Sequence, residues 1–300
     1  TVPPVAKATP KQDPLTVADV EAAITALDSN ASLESEAKAK LKDILQQAIE
    51  QLGDANSNLQ NCDLYQSAIN DGASQLSKID KTLKALPSVT DAAAETKKQT
   101  ADQNAEEAQR LVETGDASLS VLRNDLDKFT KELAQTTNRP PAITQQIPIV
   151  EETLKDNLAR LNSDEFSGTL SATKQANRMV LRATVQAQQN ELKMLQLEQQ
   201  SQPIREQILT AQIELLQRKV EIADAQQKEL VAVKKTILKT ESQTIAEKAE
   251  AILAKPNINI GNKKIARELV SLSTELDNLI AEMDAINRTK TRMQKRCEKH

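Results

Sequence analysis

The sequence predicts an all-α protein, an elongated multi-helix bundle with long antiparallel coiled-coil hairpins, and three observations carry that expectation. Leucine-spaced stripes run almost end to end. Leu181, Val185, Gln188, Leu192 and Leu195 step by four and three, and so do Ile265, Leu269, Leu272, Leu276, Leu279, Met283, Ile286, Lys290 and Met293. That alternation keeps one helix face turned toward a partner helix. Bulky side chains are scarce: one Tyr (Tyr65), two Phe (Phe129, Phe166) and no Trp among 300 residues suit thin helical packing better than a thick core. The five glycines, Gly53, Gly72, Gly115, Gly168 and Gly261, each stand beside an interruption in a stripe, where a helix end is expected.

Taken in order, residues 1–15 form a polar, proline-rich leader that reads as disordered. Thr16 with Asp19 three residues later makes a capping box for a first helix through Leu27. Asn30 or Ser32 starts a second, whose stripe holds Ala37, Leu41, Ile44, Ala48 and Leu52; Gly53 either ends it or lies within a longer helix. Leu59, Cys62, Ile69, Leu76, Ile79 and Leu83 mark a further helical stretch before Pro87, and Ser88 or Thr90 restarts the chain toward Leu119, Leu122, Leu126, Phe129 and Leu133. Residues 16–138 therefore read as an N-terminal helical bundle. Arg139-Pro140-Pro141, followed by Pro148, denies donors to a helix and restricts the residues ahead of each proline, so residues 139–168 read as a proline-containing connector and short helix.

From Ser171 the pattern is long and regular. Stretches of about 30 residues to Gln202 and about 50 from Pro203 to Ala254 would span about 45 and 75 Å as helices. Pro203 suits the first turn of a new helix, so residues 169–255 read as a long antiparallel hairpin turning at Pro203, with a kinked continuous helix as the alternative. Leu181, Leu192, Leu195, Leu216 and Val220 are the packing candidates of that pair. Beyond a connector at Lys255 to Gly261, residues 256–300 read as the C-terminal helix of a larger protein, truncated, with Leu269 and Leu276 on its packing face.

Charge is uneven but modest. Residues 1–150 carry 15 Lys and Arg against 22 Asp and Glu, and residues 151–300 carry 24 against 21. The basic cluster of Lys290, Arg292, Lys295, Arg296 and Lys299 reads as a solvated helix face, because a nucleic-acid domain would add stacking aromatics or a readable motif. Cys62 and Cys297 form no metal-type pair; a Cys62–Cys297 disulfide and two unpaired cysteines are both open, Cys297 continuing the apolar stripe. The only histidine, His300, ends the chain, which leaves no triad or paired-histidine metal centre. Glu106 and Glu107 are adjacent, as are Glu151 and Glu152, so neither pair shares a helix face. No phosphate loop, calcium loop or zinc motif is present, and no run of 18 apolar residues crosses a bilayer. The residues point to no catalysis, no cofactor and no metal.

Several segments carry a family resemblance. Tyr65-Gln66-Ser67-Ala68-Ile69, the central proline break, Leu181-Arg182-Ala183, Glu191-Leu192, Leu195, Glu198 and Ser201-Gln202-Pro203-Ile204-Arg205 resemble the amino-terminal periplasmic region of large bacterial small-conductance-type mechanosensitive channels. The potassium-dependent channel and its long relatives are the nearest subgroup. The resemblance covers residues 17 to 296, with a local departure at Arg139-Pro140-Pro141-Ala142. It implies an extracytoplasmic part of a tension-gated inner-membrane channel that acts in hypo-osmotic shock. It further implies a homo-oligomeric parent whose pore lies in the remainder of the polypeptide, with a periplasmic or envelope partner as a further option. The chain by itself is then expected to be a monomer or to associate weakly. A freestanding helical envelope adaptor or adhesin-like binding module is the alternative drawn from the same stripes.

Overall fold

The computed structural model describes residues 14–30, 33–166 and 171–297. Most of the expected leader, Ser32, Gly168 and His300 lie outside them, as do the side chains of Lys290, Lys295, Arg296 and Cys297. Seven α-helices are present among the described residues: α1 (Val17–Ser29), α2 (Ser35–Ala85), α3 (Val89–Gln99), α4 (Ala105–Asn138), α5 (Pro140–Leu161), α6 (Ala172–Leu253) and α7 (Ile260–Cys297). No strand occurs among the described residues.

Local chemistry starts several of these helices. Thr16 caps α1 through a reciprocal box, its hydroxyl accepting from the Asp19 N–H while Asp19 Oδ2 accepts from the Thr16 N–H at 2.8 Å. Ser88 Oγ caps α3 by accepting from the Asp91 N–H at 3.0 Å. Arg139 is the N-cap residue of α5, and Pro140 and Pro141 occupy its first turn, where a missing N–H costs nothing.

Two prolines and two glycines behave differently from the sequence expectation, and Gly53 takes its longer-helix alternative. Pro203 lies inside α6, which is one continuous helix of 82 residues, so the expected turn at Pro203 is absent. Pro148 likewise lies inside α5. An internal proline costs about 3 kcal/mol, and burial on both sides of Pro203, at Leu195, Ser201, Ile208 and Leu209, offsets it. Gly53 and Gly72 lie inside α2, and Gly115 inside α4. Gly72 and Gly115 serve close approach: an added Cβ would stand 2.2 Å from Ile204 Cγ1 at Gly72 and 2.0 Å from Gln227 Oε1 at Gly115.

Packing divides the chain into two compact units, Thr1–Lys81 with Phe129–Gln212, and Thr82–Lys128 with Ile213–His300. They are discontinuous in sequence, unlike the consecutive segments read from composition. In the first unit Leu15, Val20, Leu41, Leu45, Ala48 and Leu52 close on Ala176 and Ala183 of α6. A second cluster joins Ile143 and Val150 of α5 to Leu195. Asn190 Nδ2 donates to the Ala55 carbonyl at 3.0 Å and Gly72 meets Ile204, so α2 and α6 run in the same sense there. Asn157 bonds Gln188 while Arg139 bonds Glu198, so α5 runs the opposite way.

In the second unit, α4 lies on α6 through three polar contacts. Gln227 Nε2 donates to the Val112 carbonyl at 2.9 Å, Arg123 pairs with Asp224 at 2.8 Å, and Lys234 donates to Gln109. After Leu253 the chain turns back and Ser273 of α7 meets Ser242 of α6, their hydroxyls 2.5 Å apart. The α7 stripe is not the expected one. Ala266 and Ser273 are buried, while Ile265, Leu272, Leu279, Met283, Ile286 and Met293 are exposed.

Substitutions separate these roles. Gly53 has nothing within 4 Å of an added Cβ, so Gly53→Ala stabilises by about 1 kcal/mol through helix propensity. Gly72→Ala gains the same propensity, but overpacking against Ile204 costs about 1 to 3 kcal/mol, and the variant is destabilised. Leu195→Ala costs about 2 to 5 kcal/mol, and Leu216→Ala, at a half-buried site, about 1 kcal/mol. Denaturant unfolding of the four variants checks the order, and equal effects of the two glycine changes would show that α2 does not approach α6 at Gly72.

Candidate functional site

The segments singled out in the sequence meet in the first unit. On α6, Glu198, Ser201, Ile204 and Arg205 sit within two turns around Pro203; α2 brings Tyr65 and Gly72, and the junction of α4 and α5 brings Arg139. The Glu198 carboxylate is 7% exposed and accepts a fork of two bonds from Arg139, Nε to Oε1 at 3.1 Å and Nη2 to Oε2 at 3.3 Å. Paired N–H donors of this kind fix geometry as well as charge. The Arg205 guanidinium lies 4.9 Å from the centroid of the Tyr65 ring, a cation–π distance, and the Glu198 charge acts on the Tyr65 hydroxyl. Ser201, fully buried, donates to the Glu198 carbonyl at 3.1 Å.

Three helical segments are thus joined by one buried carboxylate. Its charge is met by Arg139, and Arg205 stands across the tyrosine ring. Burial pushes the Tyr65 hydroxyl above its ordinary value of 10, and the adjacent Glu198 charge adds to the shift while Arg205 and Arg139 oppose it. Tyr65, Glu198 and Arg205 lie in segments noticed for their resemblance and Arg139 at the proline break, but nothing local joins Arg139 to a residue 59 positions away.

The other expected residues are spread along the helices. Leu181 and Leu195 are buried, and Leu192, Leu216, Val220, Leu269 and Leu276 are half-buried. Cys62 is a free, buried thiol whose Sγ stands 3.8 Å from the Asn190 carbonyl, and burial pushes it above the ordinary thiol value. The expected option of a bridge to Cys297 is therefore not taken at Cys62. Glu191 on α6 is raised above the ordinary carboxylate range by burial and then by Asp54 of α2. Among the described residues no group of three His, Cys, Asp or Glu could hold a metal ion. The arrangement offers a charge-and-ring clamp between helices, with no nucleophile held against a base.

Two measurements test the clamp. Tyr65 is the only tyrosine, so tyrosinate absorbance reports it alone. Its native midpoint is expected above 10, and Glu198→Gln is expected to lower it. Because the folded hydroxyl is raised above its unfolded value, its contribution to stability is full below pH 10 and is lost as pH rises through the folded midpoint. Arg139→Met alone leaves Glu198 buried without its cation and costs about 3 kcal/mol, whereas adding Glu198→Leu recovers most of that loss. A double-mutant cycle showing no coupling would mean that the pair contributes nothing.

The model of the mechanosensitive ion channel porin domain matches residues 23–258, a stretch that holds the whole clamp and well over half of the chain. Searches of the curated proteins and of the solved structures returned no match. The matched domain is described as part of a mechanosensitive ion channel. A match over that span shows the family: the chain belongs to the mechanosensitive ion channel porin domain family.

Proposed function

We propose that this chain is an extracytoplasmic helical domain of a tension-gated channel, on the periplasmic side of the bacterial inner membrane, and that it modulates gating in hypo-osmotic shock. The single observation carrying the reading is the family match over residues 23–258. The segments around Tyr65, Leu181, Glu191 and Pro203 favour the long potassium-dependent subgroup. Its partners are the remainder of the channel polypeptide and, in the assembled parent, further copies of it.

Mechanically, the domain is a set of helices held in register. No helix among the described residues is long and apolar enough to cross a membrane, so these helices do not provide a path through lipid. Arg139, Glu198, Tyr65 and Arg205 bind α2, α5 and α6 at one level, so a displacement of one is passed to the other two. The end of α6 is joined to α7 through the Ser242–Ser273 contact. The chain turns between Leu253 and Ile260, and Ala249 and Ala266, each one heptad from the Ser242–Ser273 contact, are both buried.

The test uses the full-length channel. Deleting residues 23–258 and recording single channels under stepped suction is expected to leave conductance intact and to shift the tension threshold, and Arg139→Met with Glu198→Gln is expected to move it the same way. A threshold unchanged by both would remove the gating role. A parent reading frame without membrane helices would remove the channel reading itself.

A further inference from the structure

The turn that joins α6 to α7, residues 254–259, and the first turns of α7 hold a cationic and apolar cluster that helix packing does not use. Pro256, Asn257, Asn259 and Gly261 are ordinary turn residues, but the two isoleucines among them are not. Ile260 is 87% exposed and Ile258 is half-buried. Around them stand Lys255, Lys263, Lys264 and Arg267, all exposed, and none of the four is held in an ion pair among the described residues. From Ala251 to Arg267 the chain carries no Asp or Glu, and Glu250 and Glu268 bound that stretch.

The place of the turn matters as much as its composition. In the second unit α4 and α6 run in opposite senses, with Arg123 at Asp224 and Gln109 at Lys234. Because α4 begins at Ala105, one turn before Gln109, α6 runs past that start by about fifteen residues, or about 20 Å, before Leu253. The Ser242–Ser273 contact keeps α7 beside it over this length, so within the second unit the cluster sits at the end of a two-helix projection. The C-terminus of α6 and the N-terminus of α7 meet here, and their opposite partial charges offset each other. The side chains therefore set the local potential.

A partner for this end must offer negative charge and hydrocarbon together. A nucleic acid or an acidic glycan would satisfy the lysines and leave Ile260 in water. A membrane surface supplies both, with acidic phosphates at headgroup level and acyl chains about 5 to 10 Å below. We propose that the α6–α7 turn docks on an anionic phospholipid surface. Ile258 and Ile260 enter the headgroup boundary, and Lys255, Lys263, Lys264 and Arg267 meet phosphates around them. The methylene stems of these four follow the isoleucines while their charged ends stay at the phosphates. The contact is peripheral, since no helix among the described residues is long and apolar enough to cross a membrane. The inference does not depend on the channel reading.

Flotation of the full 300-residue chain with vesicles is the test. Binding is expected on phosphatidylethanolamine vesicles that contain phosphatidylglycerol, is not expected on pure phosphatidylcholine, and falls as salt rises. Lys263→Glu with Lys264→Glu should weaken it at least about twentyfold, at about fivefold for each charge near the surface. Ile260→Ser should weaken it about tenfold. The chain has no tryptophan, so Ile260→Trp keeps an apolar tip and reports on it alone. Its emission should move to shorter wavelength on binding and be quenched by lipids brominated along their acyl chains. All three positions are exposed, so helical circular dichroism should not change. Free glycerol phosphate, which offers the charge without the hydrocarbon, should not displace the chain. Absence of binding to the anionic vesicles, binding indifferent to Ile260→Ser, an unshifted Ile260→Trp emission on bound vesicles, or displacement by glycerol phosphate would each overturn the proposal.

Discussion

The first unit is built against α6, so its packing depends on α6 remaining helical through Pro203. A proline there removes one backbone donor and crowds the preceding turn, a cost of about 3 kcal/mol. The surroundings make the helical state the better one. Leu195, Ile208 and Leu209 are buried on either side, Ser201 returns its hydroxyl to the Glu198 carbonyl, and the Glu198 carboxylate is held by Arg139. A turn at this point would expose those apolar groups and separate Glu198 from Arg205, which share the Tyr65 side chain. Local strain is tolerated because the clamp and the core occupy the same two turns.

The helices themselves were legible in the sequence, and so were several of their starts. Thr16 with Asp19, Ser88, and the double proline after Arg139 act through neighbours three residues away or fewer, a range that a one-dimensional pattern contains. Pro203 was misread because a first-turn proline and an internal proline look alike locally; the difference lies in contacts with α2 and α5. Gly72 and Gly115 were misread for a related reason. Glycine signals a helix end by its backbone freedom, yet here it is the missing side chain that matters, admitting Ile204 and Gln227.

The α7 stripe was misassigned on different grounds. Hydrophobic periodicity weights large side chains, so Ile265, Leu272 and Leu279 stood out. The face that actually meets α6 carries Ala266 and Ser273, small residues that bring backbones close. The clamp was half legible: Tyr65, Glu198 and Arg205 lay in segments noticed for their resemblance, whereas the Arg139 pairing spans 59 residues and leaves no periodic trace.

The two serines at the α6–α7 contact have a consequence for sliding. A seam of alanine and serine is nearly degenerate in register, because methyl-sized side chains pack about as well after a shift of one heptad as before it. Ser242 and Ser273 break that degeneracy. The two hydroxyls stand 2.5 Å apart, each within bonding distance of the opposite carbonyl, 2.9 Å from Ser273 and 3.2 Å from Ser242, and both are buried. A shift of one heptad, about 10 Å along the axis, would bring Ser242 to Ala266 in one direction or Ser273 to Ala249 in the other and part the two hydroxyls, at about 1 to 3 kcal/mol for each left without a partner. The pair therefore acts as a shear pin, resisting axial load on a hairpin whose remaining contacts would let it slip.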